Sequence, residues 1–200
     1  MLQGMTPEAY TLFSTMSRRS NFVGLLEALG VKRMAEVGVY RGDFFEVLMR
    51  APGIESALAI DPWEQLPQKN LDMISPKKRV TGWNFELETM KKLRLDFESK
   101  WAQDPRVHVI QGLSVPVAAT IADGALDFVY IDGWHDYANV CADIAAWYPK
   151  VRRGGVISGH DYNPRQGVYR AVQEFVITNG LQERFSFFAR DAGNWMVLVP

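Results

Sequence analysis

Asp127-Phe-Val-Tyr-Ile-Asp132-Gly-Trp-His135-Asp-Tyr137 is an apolar run that stops on a carboxylate, a glycine, a histidine and the start of a helix pattern. In an α/β sheet that punctuation belongs at the carboxyl end of a strand, and ligands bind in the crevice outside those ends. Asp132 and His135 are therefore the first residues to suspect of chemistry.

Working outward, Arg106 to Ile110 reads as a strand before it and Val156 to Gly159 as one after it, running into His160-Asp161. Ser56 to Asp61 is an apolar run that ends in an acid and is stopped by Pro62. Met34 to Val39 is a further short strand, with Gly38 and Gly42 bracketing the turn behind it. Helical spacing fills the gaps. Asn21 is placed to cap a helix whose face is Phe22, Leu25, Leu26 and Leu29, with Gly30 as its C-terminal cap. Thr6 and Pro7 mark the start of an earlier helix. Trp83, Leu87, Met90, Phe97 and Trp101 lie along one face of a long helix, and Ser114 is placed to cap a short one. Tyr137, Val140, Cys141, Ile144 and Tyr148 form another buried face. Asn163-Pro164 restarts a helix carrying Val168, Ala171, Val172 and Phe175. Arg184 to Ala189 and Trp195 to Val199, separated by turn residues Asp191 to Asn194, close the chain as an antiparallel pair.

Strands alternating with helices at this spacing predict an α/β fold with one doubly wound, mostly parallel sheet and a terminal antiparallel hairpin. No repeat or linker interrupts residues 1–200, so a single domain is expected, with helices over residues 1–30. The stretch 62–82 holds three prolines and no sustained period, which suits a lid or acceptor-site segment.

The 22 basic and 23 acidic residues nearly cancel, which removes the basic footprint that nucleic-acid binding requires. No run approaches the length of a membrane span, and no leader pattern opens the chain. One cysteine, Cys141, excludes an intramolecular disulfide and a cysteine-based zinc cluster. A protein of the reducing cytoplasm is expected, acting on a small molecule, with a homo-oligomer left open.

The strand ends share one rim, which collects Gly38 to Gly42, Asp61, Gly112 to Ser114, Asp132 to His135 and His160 to Asn163. The loop Glu36-Val-Gly38-Val-Tyr40-Arg-Gly42 lets backbone approach a ligand, because glycine carries no Cβ. It is neither a dinucleotide fingerprint nor a triphosphate loop. Asp61 follows by about twenty residues, where a carboxylate can accept both hydroxyl hydrogens of a ribose. His108, in mid-strand, reads as structural.

These motifs, with Tyr130-Ile-Asp132-Gly-Trp-His135-Asp-Tyr137 and Arg153-Gly154-Gly155-Val-Ile-Ser-Gly-His160-Asp161-Tyr162, resemble the class I S-adenosylmethionine-dependent methyltransferases. Within that class the likeness is to metal-assisted O-methyltransferases of the catechol and macrolide-sugar types. The resemblance implies a seven-stranded Rossmann-like sheet, S-adenosylmethionine as methyl donor and a small-molecule hydroxyl as acceptor. It implies cofactor contacts at Glu36, Gly38, Tyr40, Gly42, Asp61, Gly112, Ser114 and Asp132. Many members carry an acid where Leu113 stands, which leaves Ser114 as its substitute.

The resemblance also implies a divalent metal. A hard cation such as Mg²⁺ takes oxygen ligands and only one or two carboxylates, which Asp132 and Asp161 could supply. His160 takes the place beside Asp161 as a further ligand and would also suit Mn²⁺, Fe²⁺ or Zn²⁺. His135 stands where catechol-type relatives carry the base that deprotonates the acceptor hydroxyl. Two other classes share this rim. One is a Rossmann-like oxidoreductase, for which the glycine spacing is wrong; the other is a non-catalytic subunit that binds S-adenosylmethionine.

Overall fold

The structure is a computed structural model that describes residues 5–64, 86–165 and 167–200. Its strands are β1 (Arg33–Val37), β2 (Ser56–Asp61), β3 (Val107–Gln111), β4 (Leu126–Ile131), β5 (Val151–His160), β6 (Phe185–Phe188) and β7 (Asn194–Leu198). They form one sheet in the order β3-β2-β1-β4-β5-β7-β6. All neighbours are parallel except that β7 runs antiparallel to both β5 and β6. The expected doubly wound sheet and closing hairpin are both present. The α-helices among the described residues are α1 (Pro7–Thr15), α2 (Phe22–Ala28), α3 (Asp43–Leu48), α4 (Leu87–Trp101), α5 (Ser114–Ala118), α6 (Tyr137–Trp147) and α7 (Gly167–Thr178). No helix among the described residues is long and apolar enough to cross a membrane.

β4 lies at the centre and is buried along its whole length, as a strand covered on both faces must be. Its side chains alternate between two cores. Phe128 and Tyr130 join the core under α1 to α4, whereas Val129 and Ile131 join the core under α6 and α7. Phe22, fully buried at the start of α2, sits 5.6 to 5.8 Å from the rings of Tyr130 and Phe128, and this lays the amino-terminal segment across β4.

Several boundaries differ from the sequence reading for local reasons. β1 ends at Val37, because Gly38 leaves the extended region with φ +91. β5 begins at Val151 rather than at Val156. Gly154 (φ +73) and Gly155 lie inside it at a register shift against β4, and a Cβ on Gly155 would meet the Asp127 carbonyl at 2.6 Å. Asn21 does not cap α2. It ends a 3₁₀ turn, and its side-chain oxygen accepts the amides of Ser17 and Arg18 behind it. Thr6 does cap α1, accepting from the Ala9 amide at 3.2 Å. On α4 the apolar face is Met90, Leu93, Phe97 and Trp101, while Leu87 at the first turn is exposed. α7 is described from Gly167, after an Asx turn at Asn163. Trp83 and most of the segment expected as a lid lie outside the described residues.

Asp127 ties the lower ends of three strands together. Its carboxylate accepts the amides of Lys32 and Arg33 at 2.9 and 2.7 Å and pairs with Arg152 of β5. Burial alone would raise its pKa, but the hydrogen bonds from Arg152, Arg33 and Lys32 outweigh burial and hold it below the usual carboxylate value. A group with a depressed folded-state pKa gives stability that is complete above its unfolded value of about 4 and is lost as pH falls through the folded one. Asp127→Asn is expected to cost about 1–3 kcal/mol at neutral pH and to flatten the fall in stability below about pH 4. Urea denaturation across that pH range measures both effects.

Candidate active site

The rim forms where β1 and β4, neighbours in the sheet, send their chains to opposite faces. The amide of Asp132 donates to the Val37 carbonyl at 2.7 Å and that of Gly38 donates to Ile60 at 2.8 Å. A Cβ on Gly38 would sit 2.2 Å from the Asp132 carbonyl oxygen, so only glycine allows this close approach. Gly42 (φ +80) closes the loop, with the Phe97 ring where its Cβ would be.

Asp61, the last residue of β2, is buried with both oxygens engaged. Oδ2 accepts the Tyr40 amide at 2.8 Å and Oδ1 accepts the Trp63 amide at 2.7 Å. Burial raises its pKa and the nearby amides of Tyr40, Trp63 and Val39 oppose the rise. Asp61 thus fixes the glycine loop and keeps acceptor capacity for further hydrogens. Gly112 adds to the same corner by donating its amide to the Asp61 carbonyl at 3.1 Å.

Four of the expected residues converge beyond the ends of β4 and β5. His135 Nδ1 is 2.7 Å from Asp161 Oδ2, and its Nε2 is 3.4 Å from Asp132 Oδ1. Nε2 is buried and makes no hydrogen bond. His160 Nδ1 lies 3.3 Å from Asp132 Oδ1 and 3.6 Å from Asp161 Oδ1. Asp161 holds this position with a left-handed backbone, φ +54, which aspartate tolerates better than most residues. Burial lowers the His135 pKa, yet the flanking Asp132 and Asp161 outweigh burial and push it up to about 9. Asp132 is held well below the usual carboxylate range, because His135 and His160 more than offset its burial.

Two further charges complete the cluster. Glu36, near the end of β1, is 1% exposed, and its Oε2 is buried without a hydrogen bond. Burial first, then Asp132, drives its pKa well above the ordinary value, with Arg19 opposing. Arg19 comes from the polar stretch between α1 and α2, in which nothing about spacing marked it. Its guanidinium reaches Asp132 Oδ2 at 3.1 Å and lies 3.9 Å over the Phe44 ring. Its backbone amide donates to Asp191 Oδ2 at 2.9 Å, while the Asp191 carbonyl stands 2.6 Å from His160 Nε2.

Ser114 does not cap α5. Its hydroxyl donates to Asp143 Oδ1 at 2.5 Å and accepts the Trp147 indole N–H at 2.9 Å. Asp143 escaped the sequence reading although its signal was present, an acid among Val140, Ile144 and Trp147 on the buried stripe of α6.

Among the described residues, no group of three His, Cys, Asp or Glu side chains is spaced as a ready cation cage. The chemistry of the donors nevertheless suits one. A carbonyl only accepts, so His160 Nε2 carries a hydrogen, and Nδ1, which faces Asp132 and Asp161, would give a lone pair to an ion that displaced its own hydrogen. A metal-ligating imidazole is held by its second nitrogen in this way. For an amino-acid ligand, the unpartnered Glu36 oxygen offers an acceptor to an ammonium group.

A family model described as a methyltransferase domain matches residues 35–162. The uncharacterized protein R132 of Acanthamoeba polyphaga mimivirus is 24% identical over 127 residues, which is 64% of this chain and 50% of that protein, so the match spans half of the relative's length. Among solved structures, the O-methyltransferase NovP superposes with a TM-score of 0.63 at 17% identity, covering 90% of this chain and 77% of that one. The O-methyltransferase from Bacillus cereus in complex with SAH gives 0.61 at 15% identity, covering 100% and 94%. The SAH-bound methyltransferase PaMTH1 of Podospora anserina gives 0.61 at 14%, covering 92% and 80%. At these identities the structural likeness concerns the fold.

Asp61→Asn would replace one acceptor oxygen by an amide that faces a donor. It should lower stability by about 1–3 kcal/mol and speed hydrogen exchange at the Tyr40 and Trp63 amides. Denaturant titration and exchange mass spectrometry provide the two readings.

Proposed function

The chain belongs to the methyltransferase-domain family, and from that membership we propose that it transfers a methyl group from S-adenosylmethionine to a hydroxyl oxygen of a small molecule. His135 is the general base, and Asp132, His160 and Asp161 hold a divalent ion, with Mg²⁺ first and Mn²⁺, Fe²⁺ or Zn²⁺ accommodated by the imidazole. The observation that carries this reading is the His135 imidazole, half-buried at the rim with Nδ1 held by Asp161 and a buried Nε2 left without a hydrogen bond.

S-adenosylmethionine supplies a methyl carbon activated by a sulfonium, whose departure leaves a neutral thioether. Glu36 receives the ammonium of its amino-acid end, the backbone from Gly38 through Tyr40 to Gly42 cradles that end, and Asp61 offers its remaining acceptor capacity to the ribose. A divalent cation on Asp132 and Asp161 would neutralise the charge that keeps the His135 proton and favour the ionised form of a hydroxyl beside it. His135 Nε2 removes the acceptor proton, and the Nδ1–H bond to Asp161 fixes the ring and steadies the imidazolium that forms. The near-balanced charge of the chain speaks for a small acceptor over a nucleic acid. The same composition, with Cys141 as its lone thiol, suits the cytoplasm.

His135→Ala should lower kcat by roughly 10² to 10⁴ while leaving the affinity for S-adenosylhomocysteine unchanged. Single-turnover kinetics and calorimetry separate the two, and a loss of cofactor affinity would remove the base assignment. Treatment with EDTA should abolish methyl transfer and added Mg²⁺ or Mn²⁺ restore it; undiminished activity in the chelator rules the ion out.

A further inference from the structure

Helix α7 touches the chain on both sides of the His135–Asp161 pair, with residues to which the methyl transfer above gives no part. At its first residue, Gly167, a Cβ would stand 2.3 Å from the Tyr137 amide nitrogen, 2.7 Å from the Asp136 carbonyl carbon and 2.8 Å from the His135 carbonyl oxygen. All three atoms are backbone of the link that carries His135 into α6. Gly167 is not among the glycines with a left-handed backbone, so glycine is required here for space alone.

The rest of the helix keeps this seat closed. Arg170 and Glu174 follow Gly167 at helical spacing on one face. The Arg170 guanidinium lies 4.3 Å over the Tyr137 ring, and the Tyr137 hydroxyl donates to Glu174 Oε2 at 2.6 Å. Tyr169 and Gln173 serve the other side. The Tyr169 ring is 5.0 Å from that of Tyr162, and the Gln173 amide donates to the Tyr162 hydroxyl. One helix therefore holds Tyr137, just past the imidazole, and Tyr162, just past the carboxylate that fixes that imidazole at 2.7 Å.

We propose that α7 positions the general base, with Gly167 as a positioning residue that sets how closely the helix seats on the His135 backbone, an inference that rests on His135 being that base. A methyl group on Gly167 meets backbone atoms only, so no flexible side chain can swing aside for it. Helix or link must move, and close packing passes such a shift to the next group instead of absorbing it. The imidazole rides on that link, so its Nδ1 is drawn off Asp161 Oδ2. A misplacement of about 1 Å near the reacting atoms can cost about 10²-fold in rate.

The test is the Nδ1–H proton of His135, observed by ¹⁵N-edited NMR of the full chain at neutral pH and assigned by its loss in His135→Ala. In wild type the bond to the buried Asp161 carboxylate should place this proton far downfield and slow its exchange with water. Gly167→Ala should move it upfield or lose it to exchange. Glu174→Leu removes the acceptor of the Tyr137 hydroxyl at an exposed site, and it should speed the exchange. Val172→Ala is the control: it opens a cavity on the buried face of α7 and lowers the melting temperature, but should leave the proton in place. A folded Gly167→Ala with the wild-type signal overturns the proposal, and so does a Val172→Ala that displaces the proton as far. Should Gly167→Ala fail to fold, wild-type exchange in Glu174→Leu overturns it instead. Absence of a downfield proton in wild type would remove the His135–Asp161 bond and the proposal with it. A displaced proton in Gly167→Ala beside unchanged turnover in His135→Ala would remove the base assignment alone.

Discussion

The close approach of β1 and β4 at their carboxyl ends is the constraint from which the rest of the rim follows. The Asp132 amide bonds to Val37 while the Gly38 Cα faces the Asp132 carbonyl at a distance that excludes any side chain. The loops that follow these two strands leave over opposite faces. One goes toward α3 and the other toward α6, and a crevice opens between them. Glu36, Asp61 and Asp132 border that crevice because each lies at or next to the end of one of three strands paired in register.

Charge inside the crevice is balanced locally and by short contacts. Asp132 and Asp161 face the imidazoles of His135 and His160, with the Arg19 guanidinium added on Asp132. Glu36 stands apart, buried with Oε2 unpaired, and its raised pKa favours the neutral form. Such an arrangement stores unfavourable desolvation that incoming positive charge relieves, which is the usual reason for strongly shifted groups to gather at a functional site. An ammonium at Glu36 and a metal ion at Asp132 and Asp161, as proposed above, would meet separate acidic partners.

The strand-end groups were legible because each is fixed by local pattern. An apolar run followed by Asp132-Gly-Trp-His135 places its own carboxylate, and the same holds for Asp61 and for His160-Asp161. What stayed hidden depends on partners distant in sequence. The expected caps at Asn21 and Ser114 fail because Asn21 accepts amides behind it and Ser114 serves Asp143. Arg19 is one of two arginines in a polar connection, and only the packing of Phe22 against β4 brings it over Asp132. The early start of β5 was not legible because Gly154 and Gly155 interrupt its pattern, and they act as an irregularity within the strand.

The turn before β7 contains three successive residues in the left-handed region, Asp191, Ala192 and Gly193, and looks like an ordinary surface hairpin. Its Asp191 nevertheless anchors both His160, through a carbonyl, and Arg19, through a side chain 172 positions away in sequence. During synthesis a nascent chain can therefore pair β1 to β5 long before its crevice is finished. Until that hairpin is made, Nε2 of His160 and the backbone amide of Arg19 lack these partners, although Asp132 already meets both side chains.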